Sequence, residues 1–397
     1  MNPLECKLKR LSQAKPQDFR AMRVLVRVDY NVPLKEGKVV NNERIKQTLP
    51  TIRWLLEQEC RVVLMSHLGR PKGKVVEELR MNPVAEELSK LLGKKVLKLD
   101  DCIGADVESA VASMGKGEVV LLENTRFHPE EKANDPEFSK RLAELGEVFV
   151  FEAFGTAHRN DASTVGVQAH FNERYIGFLV EREIEGITKV LQAIESKRPF
   201  VLVLGGKKIS DKLGVIQYMS KHADYILIGG AMGFPILKAQ GKPIGKSYCE
   251  EEAIPIVKAQ NLEQVPALSL PLDYLVGETL DATSAKSVSS EEIPGDRIAL
   301  DIGEETIRHY TEIIRRAGTV IWNGPMGYFE NPVFARGTIA VGKAVAQAPV
   351  SLIGGGDTIS AIEQHLKEYK SKYSHVSTGG GALLELLSGR PLVALNQ

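Results

Sequence analysis

The stretches S-L-I-G-G-G-D-T (residues 351–358) and H-V-S-T-G-G-G-A (residues 375–382) decide the predicted fold. Each has an apolar or β-branched lead-in, then glycines, then a helical pattern, which predicts a strand, a glycine turn and the start of a helix. Such a turn leaves unpaired backbone N–H groups where the helix dipole favours an anion, and glycine lets phosphate oxygens approach the backbone closely. The two stretches therefore predict a nucleotide site.

Asp357 stands where the first of these helices would begin. The residue alone fits two interpretations equally well, a helix N-cap or a metal ligand. A carboxylate beside a phosphate cradle is what a magnesium–nucleotide complex requires, because Mg²⁺ takes one or two carboxylates plus phosphate oxygens. The neighbouring glycines therefore favour the metal ligand.

The composition is that of an ordinary globular protein, with 43% apolar and 26% charged residues in a chain of 397, which is long enough for two domains. Lysine plus arginine and aspartate plus glutamate balance at 51 each, so no overall field favours nucleic acid or a membrane. The sequence starts without a signal-peptide pattern, and its four cysteines lack C-x-x-C spacing. We expect a cytoplasmic protein with reduced thiols.

Short apolar runs alternate with amphipathic helical patterns, which predicts α/β domains built on parallel sheets with crossover helices. In the first half these runs are 24–28, 61–65, 119–122 and 148–151, and polar residues follow each of them. The carboxyl ends of parallel strands form the edge at which ligands bind in open α/β sheets. The polar residues are therefore candidates for a binding site.

The candidates in the first half are mostly cationic. They are His67, Arg70, Arg126, His158 and Arg159, and Arg44 could join them from the start of a helix. Any one alone is better explained as a solvated arginine or a core histidine. Several at equivalent strand ends indicate capture of phosphate or carboxylate, because the planar guanidinium binds such groups with two hydrogen bonds. Asp29 and Asn31 could hold a hydroxyl group, so we predict a pocket for a small hydroxylated polyanion.

The second half carries glycines at the equivalent positions. The run 200–204 is followed by G-G-K-K-I-S-D-K, which we interpret as placing Lys208 and Lys212 on one helical face beside a phosphate-sized space, although a solvated face is the default. Strand ends that carry neutral glycines and one carboxylate suit a flat purine base and a Mg²⁺ ion. A Walker A motif and a dinucleotide fingerprint are absent.

Eight motifs resemble, in order, those of the phosphoglycerate kinase family. They are V-R-V-D-Y-N-V-P, S-H-L-G-R-P-K-G, L-E-N-T-R-F-H, A-F-G-T-A-H-R, G-G-K-K-I-S-D-K, W-N-G-P-M-G-Y-F-E, I-G-G-G-D-T and H-V-S-T-G-G-G-A. The resemblance implies reversible phosphoryl transfer between 1,3-bisphosphoglycerate and MgADP, giving 3-phosphoglycerate and MgATP, in glycolysis. Mg²⁺ is thus the implied cofactor.

The resemblance also implies a monomer of two similar α/β domains, each a parallel sheet flanked by helices, joined by an interdomain helix and hinge. The N-terminal, phosphoglycerate-binding domain would contain residues 1–172 and 388–397. The interdomain helix would span 173–186, and the C-terminal, nucleotide-binding domain 187–387.

Residue roles follow from the same resemblance. Asp29 and Asn31 are expected to hold the glycerate hydroxyl and carboxyl region, with Arg44 near the reacting carboxyl-phosphate. The non-transferring phosphate is expected to bind His67, Arg70, Arg126 and Arg159, with Leu68 and Gly69 in the same substrate site. Lys208 is expected to follow the transferring phosphoryl group, and Gly379 and Gly380 to donate N–H groups to the transition state. Together with Arg44, these three form the catalytic set.

The nucleotide site is expected to use Lys212 for the phosphates, Glu330 for the ribose and Asp357 for the metal. Lys208 also belongs to it. The remaining expected members are Gly205, Gly206, Gly229, Asn323, Pro325, Gly354, Gly355, Gly356 and Thr358.

Two departures from the family pattern affect the site. Phe151 and Glu152 replace the usual N-D, and Asp161 stands where the family has a second histidine. An Asp161 carboxylate facing the phosphate would weaken substrate binding, whereas one paired with a patch arginine would orient that arginine. Two alternative functions are a non-enzymatic nucleotide-binding regulator, opposed by the presence of Lys208 and Asp357, and another small-molecule kinase, opposed by the Asp29/Asn31 pair and the full arginine set.

Overall fold

The computed structural model describes residues 4–397, which divide into two compact units. One contains Glu5–Glu185 and Pro391–Gln397, and the other contains Gly186–Arg390. Each is organised around a parallel sheet with helical crossovers, which confirms the predicted fold class. Within residues 4–397, no helix is both long and apolar enough to cross a lipid bilayer.

The first unit contains nine strands and five helices, before a sixth helix that continues into the second unit. The strands are β1 Lys9–Arg10, β2 Arg23–Val28, β3 Leu34–Lys35, β4 Lys38–Val39, β5 Arg61–Met65, β6 Val96–Lys98, β7 Val119–Leu121, β8 Val148–Glu152 and β9 Arg174–Ile176. The helices are α1 Glu43–Glu57, α2 Asn82–Leu92, α3 Ala105–Ala112, α4 Pro129–Ala133 and α5 Pro136–Ala143, followed by α6 Phe178–Ser196.

The first sheet has the order β1-β9-β8-β2-β5-β7-β6, and all its strand pairs are parallel. Its central strands are buried and rich in valine and leucine, as expected for a sheet covered on both faces. The chain leaves β2 toward β5 and leaves β8 toward β9, so the direction of connection reverses between β2 and β8. A crevice is expected at the carboxyl ends of those two strands.

The C-terminal segment Pro391–Gln397 belongs to the first unit. The N–H of Lys7 donates to the carbonyl of Leu395 (2.8 Å), and the N–H of Ala394 donates to the carbonyl of Ala157 (3.0 Å). Ala157 lies two residues before Arg159, so the chain end braces one of the predicted substrate loops.

The second unit contains nine further strands and seven further helices. The strands are β10 Phe200–Leu204, β11 Tyr225–Ile228, β12 Leu268–Ser269, β13 Asp273–Gly277, β14 Lys286–Ser289, β15 Ile298–Ile302, β16 Thr319–Asn323, β17 Val350–Gly354 and β18 His375–Val376. The helices are α7 Leu213–Met219, α8 Phe234–Ala239, α9 Ile254–Ala259, α10 Glu304–Arg315, α11 Arg336–Val345, α12 Gly356–His365 and α13 Gly381–Leu387.

The second parallel sheet has the order β12-β11-β10-β16-β17-β18. Its connections reverse between β10 and β16, so a second crevice is expected where the glycine motifs after these strands meet. A separate antiparallel sheet, β14-β13-β15, was not predicted. Its strands give no clear alternating pattern in the sequence, and β14 is largely exposed.

The helix at the division between the units begins later than predicted. Residues 174–176 form strand β9, which pairs with β8, and α6 then runs from Phe178 to Ser196. The predicted span of 173–186 therefore includes a strand at its start and misses the last ten residues of the helix. Contacts in the fold separate the units at Glu185 and Gly186, and the functional domain limits stay a prediction.

Glu152 holds the start of α6 from the end of β8. Its carboxylate accepts hydrogen bonds from the Thr51 hydroxyl and from the N–H groups of Leu179 (3.0 Å) and Val180 (3.4 Å). The side chain is fully buried. Burial raises its pKa from 4.5 to about 7, and the hydrogen bonds from Thr51, Leu179 and Val180 oppose this rise.

We expect the buried Glu152 to make stability depend on pH. Because its pKa is higher in the folded chain, the folded state is favoured by the proton, and this contribution is present below pH 4.5 and lost as pH rises to about 7. The difference between these pKa values corresponds to roughly 3 kcal/mol. The free energy of unfolding of Glu152→Gln, relative to wild type, should therefore rise between pH 4.5 and pH 8. A relative stability that stays constant with pH would refute this.

Candidate active site

Asp29, Asn31 and Arg44 form one hydrogen-bonded group after β2. Arg44, in the first turn of α1, donates from Nη1 to the Asp29 carboxylate (2.8 Å) and to the Asn31 carbonyl (3.3 Å). The Asn31 side-chain oxygen accepts from the N–H of Gly69 (2.9 Å), in the loop after β5. These predicted residues therefore come together, although they are separated in the sequence.

His67 lies between two guanidinium groups. Arg27 Nη2 is 3.1 Å from its Nδ1, and Arg159 Nη1 is 3.1 Å from its Nε2. A neutral imidazole accepts at only one nitrogen, so His67 can satisfy only one of these two donors. The other guanidinium retains a donor that can serve an anion.

The pKa of His67 lies well below its ordinary value of 6.5, first because the ring is buried and then because Arg27, Arg126, Arg159 and Arg44 repel a proton. This environment favours the neutral imidazole, and the expected contact of His67 with the phosphate stays a prediction. The positive charge of this site comes from arginine and lysine.

Arg27 is a site residue that sequence reasoning missed. It is fully buried in β2, and its guanidinium also donates to the Ser163 hydroxyl (2.8 Å) and to the Val28 carbonyl. A basic residue within the apolar run 24–28 was the available signal, because an arginine is rarely fully buried without partners. Arg27 therefore contacts His67 at the ring nitrogen opposite the one that faces Arg159.

The loop that carries Leu68 and Gly69 is held by Asn124. The Asn124 side chain accepts from the Leu68 N–H (3.0 Å) and donates to the Leu68 carbonyl (2.7 Å). Arg126 donates to the Gly69 carbonyl (2.9 Å). The Leu68 side chain is buried, so this residue contributes to the site through its backbone.

A cavity of about 400 Å³ opens beside this loop. Its lining is Arg70, Pro71, Lys72, Gly73, Arg126, Lys132 and Arg159. Five of these seven residues are cations and none is acidic, so the cavity suits a small dianion. We name it the anion cavity. Lys72 and Lys132 were not predicted.

In the second unit, glycine permits close packing of the loops after β10, β11 and β16. A Cβ on Gly205 would lie 2.0 Å from the Pro325 carbonyl oxygen, and one on Gly229 would lie 2.6 Å from the Met326 sulfur. Gly206 has φ +99°, which favours glycine, and its N–H donates to the Pro325 carbonyl (2.9 Å). These loops shape the second crevice.

A cavity of about 510 Å³ occupies this crevice, and we name it the nucleotide cavity. Gly206, Pro325, Glu330 and Asp357 of the predicted set line it. Much of the rest is apolar or aromatic, including Phe234, Tyr248, Tyr274, Leu280, Met326 and Phe329. A wide apolar cleft with a few polar groups at its edge suits a purine nucleoside.

Lys208 and Lys212 do not share a helical face, contrary to the sequence interpretation. Both precede α7, which begins only at Leu213, and Lys212 is its N-cap residue. Lys208 is exposed, whereas Lys212 is partly buried. Burial lowers the pKa of Lys212, and the carboxylates of Asp211 and Asp357 oppose this. Lys212 and Asp357 therefore share one electrostatic environment.

Asp357 is the second residue of α12 and is exposed. The N-cap is Gly355, with φ +95°, and no side chain caps this helix. Among residues 4–397, no hydrogen bond or ion pair to the Asp357 carboxylate is found. The cap interpretation is therefore wrong, and the carboxylate is available to a ligand.

Thr358 and Asn323 lie behind the first triple glycine. The Thr358 hydroxyl donates to the Gly354 carbonyl (2.8 Å) and accepts from the Gly324 N–H (2.7 Å), so it ties β17 to the loop after β16. The Asn323 amide is buried, and neither of its polar atoms has a hydrogen-bond partner within the described part of the chain. It lies beside the positions that a Cβ would take on Gly354 and Gly355.

Gly379 and Gly380 precede α13, and Gly380 has φ +47°. The Gly379 N–H donates to the Ser377 hydroxyl (3.0 Å). A Cβ on Gly354 would lie 2.2 Å from the Leu383 side chain, so the first triple glycine packs closely against α13. Gly356 has open space where a side chain would lie.

Asp301, at the end of β15, is a further residue that sequence reasoning missed. It lines the nucleotide cavity, and its carboxylate accepts from the N–H groups of Ile302 (2.9 Å) and Gly337 (2.8 Å), the latter at the start of α11. Burial raises its pKa to about 8. A carboxylate two residues before Gly303, near a strand end, was the available signal.

Two parallel sheets, one with an anion cavity and one with a nucleotide cavity at the strand ends, define the protein as a small-molecule phosphotransferase of the α/β class. Residues 14–390 match the phosphoglycerate kinase family. The chain belongs to that family, is an enzyme with the family's activity, and is a kinase of glycolysis.

Relatives and solved structures agree with this assignment. The chain is 49% identical over 385 residues to a phosphoglycerate kinase of Moorella thermoacetica, covering 95% of this chain and 96% of the relative. It is 48% identical over 380 residues to one of Pelotomaculum thermopropionicum, covering 94% and 95%. Solved phosphoglycerate kinases of Coxiella burnetii and Pyrococcus horikoshii superpose with TM-scores of 0.81 and 0.84 at 37% and 32% identity, each covering 98% of both chains.

Proposed function

We propose that the chain transfers a phosphoryl group reversibly between 1,3-bisphosphoglycerate and MgADP, giving 3-phosphoglycerate and MgATP. The observation that carries this proposal is the division of chemistry between the units, with only cations among the charged residues of the anion cavity and an apolar, glycine-edged nucleotide cavity. A coupled assay of ATP formation from 1,3-bisphosphoglycerate and MgADP tests it. Absence of turnover by the folded protein would overturn it.

The substrate is proposed to bind with its non-transferring phosphate in the anion cavity, on Arg70, Arg126 and Arg159. Asp29 and Asn31 would hold its hydroxyl and carboxyl region. Arg44, fixed at 2.8 Å by the Asp29 carboxylate, would point at the reacting carboxyl-phosphate. Positioned cations lower the barrier because negative charge spreads over the transferring oxygens.

The nucleotide is proposed to bind with its base in the apolar part of the nucleotide cavity and its ribose on Glu330. Asp357 fits Mg²⁺ because its carboxylate is exposed at the edge of this cavity and makes no ion pair within residues 4–397. When bound, Mg²⁺ would neutralise charge on the nucleotide phosphates. Lys212 would bind those phosphates, and Lys208, Gly379 and Gly380 would donate to the moving phosphoryl group. We further propose that the enzyme is a cytoplasmic monomer.

We expect domain closure during turnover, because the two reactants bind to different units and must come within bonding distance. Closure also excludes water from the transfer. Small-angle scattering should give a smaller radius of gyration with 3-phosphoglycerate and MgADP together than with either ligand alone. An equal radius in all liganded samples would contradict closure driven by both ligands.

A further inference from the structure

Asp161 is a buried carboxylate between two basic side chains. It is only 2% exposed. Its Oδ1 accepts from Lys132 Nζ (2.8 Å), and its Oδ2 lies 3.5 Å from Arg126 Nη2 without a hydrogen bond from any described residue. Of the two sequence interpretations of Asp161, the structure therefore supports pairing with a patch arginine, and it adds a lysine.

The position of Lys132 is fixed by the residue before it. Glu131 is buried in α4, and its carboxylate accepts from the Thr125 hydroxyl (3.0 Å), the Ser163 N–H (2.9 Å) and the Ser163 hydroxyl (2.6 Å). This anchor holds α4 at the site, so that Lys132 lines the anion cavity with Arg126. The Lys132 side chain remains 58% exposed, and its ammonium retains donors for an incoming anion.

The half-buried guanidinium groups of Arg126 and Arg159 are stabilised by a carboxylate nearby. Burial lowers the pKa of Arg126 and of Arg159, and the Asp161 carboxylate opposes this in both cases. Removing one partner of a buried ion pair leaves an uncompensated charge that disturbs its surroundings. Asp161 therefore stabilises the clustered cations in the positions from which they face the cavity.

We propose that Lys132 is a further binding residue for the non-transferring phosphate and that Asp161 is the positioning residue that holds Lys132 and Arg126 toward it. This inference rests on the proposed function, because it names further residues of the same substrate site.

Binding of 3-phosphoglycerate, of sulfate and of MgADP by Lys132→Ala tests the first part. Removing a unit charge that lies about 4 Å from a charge on the ligand raises the dissociation constant at least about fivefold, even at the dielectric constant of water. We expect the affinity for 3-phosphoglycerate and sulfate to fall by at least that factor, with unchanged MgADP affinity. Because Lys132→Ala also removes a partner of the buried Asp161, binding is measured well below the melting temperature of the variant. Lys116→Ala is the matched control, because Lys116 forms an ion pair with Glu59 (3.2 Å) and does not line the anion cavity.

Asp161→Asn tests the positioning role, since it keeps the shape and removes the charge. We expect the KM for 3-phosphoglycerate to rise, with kcat and the KM for MgADP changed much less. The rise should be smaller in a Lys132→Ala background, because the two residues act partly as one unit. Tighter 3-phosphoglycerate binding by Asp161→Asn would show an unfavourable carboxylate instead and overturn the positioning role.

The outcomes separate this inference from the proposed function. If the wild-type protein bound no 3-phosphoglycerate, the proposed function itself would fail. If the wild type bound it and Lys132→Ala bound it equally well, only the role of Lys132 would be excluded. Should Asp161→Asn fold poorly, the Lys132→Ala measurement still decides the first part.

Discussion

Lys208→Ala is expected to lower kcat by roughly 100-fold or more, the usual cost of removing one preorganised transition-state donor. Lys208 follows the glycine turn after β10, and its side chain is exposed without a place in the lining of the nucleotide cavity. In the role proposed for it, Lys208 would contribute mainly when charge develops on the moving phosphoryl group. The KM for nucleotide should therefore change far less than kcat in steady-state kinetics.

Lys207 provides the matched control for this prediction. It is the neighbouring lysine, but it lines the nucleotide cavity, with its ammonium 4.4 Å from the centre of the Tyr248 ring. Lys207→Ala should leave kcat nearly unchanged and alter, at most modestly, the KM for nucleotide. Equal kinetic effects in the two variants would mean that the role of Lys208 has been assigned to the wrong residue.

Asp357→Asn is expected to reduce turnover with MgADP at least about tenfold, because a neutral amide is a much weaker ligand than a carboxylate for Mg²⁺. Raising the Mg²⁺ concentration should restore part of the activity. The melting temperature should not change, since Gly355 is the N-cap of α12 and the Asp357 side chain caps nothing.

Glu363→Gln is the control on the same helix, because Glu363 pairs with Lys370 on the surface. It should retain both activity and Mg²⁺ dependence. A loss of stability in Asp357→Asn that paralleled its loss of activity would instead indicate a structural role for the carboxylate. Kinetics at several Mg²⁺ concentrations and thermal unfolding of both variants make this comparison.

The central strands of both parallel sheets were predictable because buried parallel strands are continuous apolar runs. The predicted runs 61–65 and 200–204 coincide with β5 and β10. The antiparallel sheet was not predictable in this way, since β13 is buried at every position and β14 is mostly exposed, so neither strand alternates apolar and polar residues.

The candidate site was predictable where a residue follows a strand directly. Arg126 and Arg159 stand in motifs after β7 and β8, and the anion cavity brings them together. Arg27 was hidden inside a strand, and Lys132 lies in a short helix whose orientation depends on the buried Glu131. The relation of Lys208 to Lys212 was misjudged because the helix begins only at Leu213.

The sequence by itself determined the family, the α/β class and the strand-end positions of the substrate and nucleotide motifs, because these depend on local patterns and on glycine turns. Only the tertiary structure decided which charges meet. It pairs Asp161 with Lys132 and Arg126, lowers the pKa of His67 by burying it among arginines, and leaves the Asp357 carboxylate without an ion pair among residues 4–397. The physical reason is that charge state and ion pairing depend on burial and on neighbours through space, which spacing along the chain does not specify.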